Sequence, residues 1–133
     1  MTAAKNKKSV QDLLKEANAQ IETISIEMAK KFLRDDNYIF IDLRDIRELK
    51  KSGKIPKSFS CPRGMLEFWI DTDSPYHKKI FSENKTFVFY CASGWRSALS
   101  TKTATDMGLA NVCHVEGGFS AWIKNGGDVE EVD

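Results

Sequence analysis

The residues best suited to chemistry in this chain occupy six consecutive positions, Cys91-Ala92-Ser93-Gly94-Trp95-Arg96. Three features favour thiolate over thiol at Cys91. It follows an apolar β-forming run, Thr86 to Tyr90, and precedes a segment that reads as a helix. That places it where unpaired N–H groups and the partial positive charge of a helix N-terminus gather. Arg96 adds a full positive charge to the same loop. Gly94 permits backbone geometry that a side chain would block, so successive N–H groups can converge inward. Such a cradle suits an anion, a persulfide or both, and the expected chemistry is covalent catalysis by a cysteine nucleophile.

Other reactive side chains are weaker candidates. Arg96 either holds the anionic end of a donor or pairs with a nearby carboxylate; the first is preferred because a guanidinium suits oxyanions. Trp95 is an exposed contact for an acceptor protein or one wall of the pocket, and the two readings stay open. Asp42 and Arg44 are expected to pair with each other or with Glu48 rather than to react. Arg63 and Glu67 are candidates for the pocket rim, with a solvated surface pair as the other reading. His77 and His114 are lone histidines without ligand spacing, so no metal site is expected; His114 falls in a strand and reads as packed or surface-bonded. Cys113 reads as core. Cys61 also reads as structural, although it would resolve a persulfide into a disulfide if it lay near Cys91.

These residues need a scaffold, and the hydrophobic pattern supplies one. Ser9 and Asp12 form a capping-box pattern, followed by an apolar stripe of Val10, Leu13, Leu14 and Ala17. A second helix is expected from Ser25, burying Ile26, Ala29, Phe32 and Leu33. Tyr38–Asp42 reads as a buried strand. Asp45 and Glu48 cap a short helix with Ile46 and Leu49 inside, ended by Ser52-Gly53. The stretch from Ile55-Pro56 to Arg63-Gly64 reads as irregular, Met65 to Ile70 as a helical turn, and Asp71 to Pro75 as loop. Thr86–Tyr90 is the strongest strand. Ser97 to Met107 reads as a helix with Leu99, Thr103 and Met107 in line and Gly108 as its stop. Val112–Val115 is a strand, Gly117-Gly118 a break, and Phe119 to Lys124 a last helix. Alternating strands and helices predict an α/β fold with a central, mostly parallel β-sheet flanked by helices. Ligands of such sheets sit beyond the carboxyl ends of the strands, where Asp42 and Cys91 both fall.

The chain has 133 residues, of which 41% are hydrophobic, enough for one compact domain. Its 20 basic and 19 acidic residues are balanced, which gives no reason to expect nucleic acid or an acidic membrane as partner. No apolar run is long enough to span a bilayer. Lys5, Lys7 and Lys8 imitate the start of a signal peptide, but Ser9 to Gln20 is amphipathic and lacks an apolar h-region, so no secretion signal is expected. Three cysteines, an odd and sparse set, suggest no disulfide framework and a reducing, cytoplasmic setting.

Several segments together resemble the rhodanese family, in particular its small single-domain bacterial members. Cys91 to Arg96 is similar to that family's six-residue active-site loop. Ile41-Asp-Leu-Arg-Asp45 with Glu48 resembles its first signature, Gly53-Lys-Ile-Pro56 its Gly-His-Ile-Pro segment, and Pro62 to Phe68 the stretch that follows. Glu116-Gly-Gly-Phe-Ser-Ala-Trp122 resembles its closing Gly-Gly-x-x-x-Trp signature. Lys54 replaces the usual His, and Lys57 the usual Gly. The resemblance implies a rhodanese-like domain over residues 23–133, preceded by an N-terminal helical extension over residues 1–22.

It also implies a sulfurtransferase. Cys91 takes sulfane sulfur from a donor such as thiosulfate, holds it as a persulfide within the N–H groups of residues 92–96, and passes it to a thiol or protein acceptor. No cofactor is implied, and the chain is expected to act as a monomer or homodimer. Two other functions stay open. One is a sulfur-relay or binding partner fed by another enzyme. The other is a cysteine phosphatase or arsenate reductase; phosphatases of this fold carry Cys-x5-Arg, whereas only four residues separate Cys91 from Arg96.

Overall fold

The computed structural model describes residues 7–133. In chain order the elements are α1 (Val10–Asn18), β1 (Glu22–Ile24), α2 (Ile26–Leu33), β2 (Tyr38–Asp42), α3 (Ile46–Ser52), β3 (Phe59–Ser60), α4 (Leu66–Ile70), β4 (Thr86–Tyr90), α5 (Trp95–Asp106), β5 (Val112–Val115) and α6 (Gly118–Lys124). The five strands form one parallel sheet in the order β1-β5-β4-β2-β3. Helices cover both faces, as parallel strands require when neither side meets water.

Side-chain alternation along the central strands builds two cores. Phe40, Val88, Tyr90, Cys113 and Val115 face one way, joined by Ile24, Ala29, Phe119 and Trp122. Ile41, Phe87, Phe89 and Cys91 face the other way, with Leu43, Cys61, Leu66, Ile70 and Ala104. The period of two along Phe87-Val88-Phe89-Tyr90-Cys91 therefore decides that Cys91 emerges on the side covered by α4 and α5. His114, between Cys113 and Val115, points to that same side.

The helix starts follow the expected caps. The Ser9 hydroxyl accepts from the Asp12 amide and the Asp12 carboxylate from the Ser9 amide, closing the capping box of α1. Asp45 and Glu48 close the box of α3 in the same way. On three helices burial departs from the apolar pattern, and at Ile46 it corrects an expectation. On α1 only Leu14 and Ala17 are buried, while Val10 and Leu13 lie exposed, because the helix rests on α5 along one narrow edge. On α3 Leu49 is buried but Ile46 is exposed, since the helix lies at the surface above Arg44. On α5 the buried line is Ser97, Ala98, Ser100, Thr101 and Ala104; Met107 is exposed and Leu99 half-buried, because small residues let the helix approach β4 and β5 closely.

Two edge strands, β1 and β3, lie where no strand was expected. They have three and two residues respectively, too few for a periodic signal. Helix α5 begins two residues early, at Trp95, so Trp95 and Arg96 form its first turn. Among the described residues no helix is long and apolar enough to cross a membrane.

Candidate active site

The turn from β4 into α5 is four residues, Cys91 to Gly94. Gly94 stands at the N-cap of α5 with φ 111°, a left-handed geometry that favours glycine. No side chain of an ordinary capping residue serves this helix; the sulfur of Cys91 takes that place. Its Sγ accepts from the Gly94 amide at 3.1 Å and from the Ser97 amide, the third residue of α5, at 3.4 Å. Both donors point at the sulfur from the start of α5, the end of the helix where the dipole is positive. The amides of Ala92, Ser93, Trp95 and Arg96 have no hydrogen-bond partner among the described residues. Cys91 itself is buried, whereas Ser93 and Trp95 are exposed.

The loop is held from behind by the closing glycine pair. The amides of Phe119 and Ser120 donate to the carbonyls of Cys91 and Ala92 at 2.8 and 3.0 Å. Gly118, at φ 61°, lies so close that a Cβ would come within 2.5 Å of the Cys91 carbonyl oxygen. The Gly-Gly break thus serves to let the start of α6 dock on the backbone of the loop.

Arg96 points to α3. Its two terminal nitrogens donate to the two carboxylate oxygens of Glu48 at 2.8 and 2.9 Å. Of the two readings of Arg96, the structure displays the carboxylate pair. The Arg96 hydrogen bonds hold the Glu48 carboxyl down at about 2, against the partial burial that opposes them. Glu48 also caps α3, so one side chain ties the loop to the turn after β2.

Asp42 and Arg44 pair with each other: Nε donates to Oδ1 at 3.0 Å and Nη2 to Oδ2 at 2.7 Å, both groups buried. Arg44 further donates to the Gly53 carbonyl at 2.7 Å and lies 4.2 Å over the Phe119 ring. It therefore links the end of β2, the end of α3 and the start of α6, and the pair is satisfied rather than reactive.

Two cavities border the loop. One, of about 400 Å³, lies beside Ala92 between Arg44, Glu48, Phe119 and Ile123. The other, of about 490 Å³, lies between α1 and Ser93, Gly94 and Trp95. Arg63 and Glu67 pair with each other at 3.0 Å and line neither cavity. Cys61 shares the apolar cluster of Cys91, and Cys113 lies on the opposite face; burial pushes each thiol up to about 12, so neither offers a competing thiolate. Among the described residues no group of acidic, histidine or cysteine side chains is arranged to hold a metal.

Sequence reasoning passed over Ser97 and gave His114 no part in the site. The Ser97 hydroxyl lies 3.6 Å from Cys91 Sγ and 2.9 Å from His114 Nδ1. The sole signal in the chain is the position of Ser97 directly after Arg96, and nothing marks His114 as its partner.

Residues 25–125 match the family described as the rhodanese-like domain. A yeast thiosulfate:glutathione sulfurtransferase (Saccharomyces cerevisiae) is 28% identical over 117 residues, covering 83% of this chain and 84% of that protein. The mouse thiosulfate sulfurtransferase/rhodanese-like domain-containing protein 3 is 28% identical over 99 residues; the match covers 71% of this chain and 63% of that protein. A solved structure from Rhodopseudomonas palustris, described as a protein of unknown function and possible tyrosine phosphatase, superposes with a TM-score of 0.91. It is 53% identical, and the match covers 93% of this chain and 96% of that one.

Proposed function

The chain belongs to the rhodanese-like domain family, and from that premise we propose that it transfers sulfane sulfur through a persulfide on Cys91. The observation that carries this reading is the seating of Cys91 Sγ at the start of α5, with two amides donating to it and four further loop amides without partners among the described residues. A terminal persulfide sulfur is an anion of one atom, and a ring of N–H donors is suited to stabilise it.

In the first half-reaction the Cys91 thiolate attacks the outer sulfur of thiosulfate. A Cys91–sulfur bond forms, and the bond to the sulfonate sulfur breaks with its electron pair leaving on sulfite. In the second, an acceptor thiolate attacks the outer persulfide sulfur and the Cys91 thiolate leaves. The yeast relative's name, thiosulfate:glutathione sulfurtransferase, favours a small thiol as acceptor. Exposed Trp95, beside the loop, is positioned to meet an incoming protein acceptor. A cytoplasmic setting and a monomer or homodimer accompany this reading.

Mass spectrometry before and after thiosulfate tests it. The expected result is a gain of one sulfur atom on Cys91, removed by a thiol. The gain should be absent in Cys91→Ser and retained in Cys61→Ser and Cys113→Ser. Normal turnover by Cys91→Ser would refute the assignment.

A second reading, phosphate hydrolysis, is favoured by the similarity to the Rhodopseudomonas palustris protein, which is described as a possible tyrosine phosphatase. Against it stand the four-residue spacing from Cys91 to Arg96 and the engagement of both terminal Arg96 nitrogens by Glu48. The Cys-x5-Arg spacing of phosphatases of this fold gives a wider ring, and a guanidinium already held by a carboxylate is less available to a phosphate. Efficient hydrolysis of p-nitrophenyl phosphate, with no sulfur taken from any sulfane donor, would decide for this second reading.

A further inference from the structure

Cys91 is 1% exposed, yet as a thiol it must lose a proton before it can attack. The side chains around it form one continuous hydrogen-bonded chain. Cys91 Sγ lies 3.6 Å from Ser97 Oγ, Ser97 Oγ 2.9 Å from His114 Nδ1, and His114 Nε2 3.0 Å from Thr23 Oγ1. Ser97 and His114 are buried, at 0% and 4% exposure, while Thr23 is exposed at the end of the sheet. Both His114 and Thr23 line the cavity between α1 and the loop.

We propose that Ser97, His114 and Thr23 form a proton path that carries the Cys91 proton to the cavity beneath α1. The inference rests on the reading of Cys91 as the nucleophile and adds the route by which it is activated. With a thiol present, the S–H faces Ser97 Oγ, the Ser97 hydroxyl donates to Nδ1, and Nε2–H donates to Thr23. With a thiolate the direction reverses: Thr23 donates to Nε2, Nδ1–H donates to Ser97, and the Ser97 hydroxyl donates to the sulfur. One reversal moves each proton by one bond. The sulfur ends with a negative charge and a third donor, one proton leaves Thr23 for solvent, and His114 is neutral before and after. Burial pushes the His114 imidazole down to about 4, which suits a group that changes tautomer without holding charge. Glu116, itself exposed, is the one charged residue among those lining the cavity.

The geometry separates two traffic routes. Protons leave between α1, β1 and β5, whereas the cavity beside Ala92, Arg44 and Phe119 opens on the other flank of the loop. The helix α1 lies outside the family match and supplies Gln11, Leu14 and Asn18 to the wall of the exit. Ser97, His114 and Thr23 are positioning residues here, since they act on reactants only through Cys91.

The test follows alkylation of Cys91 by iodoacetamide in mixtures of light and heavy water, with Cys61→Ser and Cys113→Ser as the background. Thr23 is exposed, so Thr23→Val leaves the core intact while removing the exit hydroxyl. Wild-type rates should bend with deuterium fraction, because several protons move together. In Thr23→Val the rate should fall about tenfold, the low end of acid–base effects, and the bend should vanish. Thr23→Ser should restore both. His114→Gln, which cannot exchange tautomers, should match Thr23→Val if it folds. A Thr23→Val protein that keeps the wild-type bend, at any rate, overturns the path. If the path behaves as expected but thiosulfate leaves no sulfur on Cys91, the sulfur-transfer reading fails and the path stands.

Discussion

Glu48 and Arg96 meet through two parallel hydrogen bonds, each carboxylate oxygen facing one terminal nitrogen, at 2.8 and 2.9 Å. The residues are 48 positions apart, and their contact is a tie between the loop that bears Cys91 and the turn after β2. The fork geometry makes the tie directional, which a lysine cannot reproduce.

Arg96→Lys and Glu48→Gln are therefore expected to loosen the loop more than the fold. Both groups are partly exposed, so each change should cost only about 1 kcal/mol in urea unfolding. Thiosulfate-to-cyanide transfer should fall by roughly tenfold in either variant, and the double variant should lose little more. Additive losses in the double variant would mean that Arg96 acts on the donor instead.

Gly118→Ala should be severe. The added methyl would lie 2.5 Å from the Cys91 carbonyl oxygen and 2.7 Å from that of Ala92, at a φ of 61°. A stability loss of at least about 2 kcal/mol is expected by thermal unfolding. Any protein that folds should have lost sulfur transfer, because the amides of Phe119 and Ser120 no longer seat the loop.

Acid should weaken the fold in two windows. His114 binds a proton more weakly when folded, about 4 against 6.5, so its stabilising contribution is complete above 6.5 and declines as pH falls toward 4. Glu48, held at about 2 against 4.5, contributes above 4.5 and loses that contribution as pH falls toward 2. Urea unfolding at neutral pH and at about pH 5 should differ by roughly 2 kcal/mol in wild type. In His114→Gln this upper decline should disappear and the lower one should remain.

Lys57 is the one non-glycine residue with positive φ among the described residues, at 67°. Its amide donates to Glu130 Oε1 at 3.0 Å, which holds it in that conformation. Lys57→Gly should raise stability by about 0.5 to 1 kcal/mol, the left-handed strain less the entropy of glycine. Lys57→Ala, with the same strain, should show no gain.

Much of this architecture was readable in advance, and the reasons are local. Tyr38–Asp42 and Thr86–Tyr90 match their strands to the residue, because each run is short, apolar and rich in β-formers. The loop was readable because Cys91, Gly94 and Arg96 are adjacent in the chain. What escaped was set by distant partners. β1 exists only because Glu22–Ile24 lies alongside Cys113–Val115. Ile46, apolar and on a well-capped helix, is exposed because of where α3 happens to rest. His114 gains its place through Ser97 and Thr23, 17 and 91 positions away, which no motif records.

The docking of α6 on the loop has a consequence for how the protein is made. The carbonyls of Cys91 and Ala92 find their donors in Phe119 and Ser120, and β1 waits for β5 to pair. A chain emerging from the ribosome therefore holds Cys91 well before it holds the residues that seat its loop. Until residues 112–120 are released, the carbonyls of Cys91 and Ala92 lack these donors, and the seated loop is among the last features to appear.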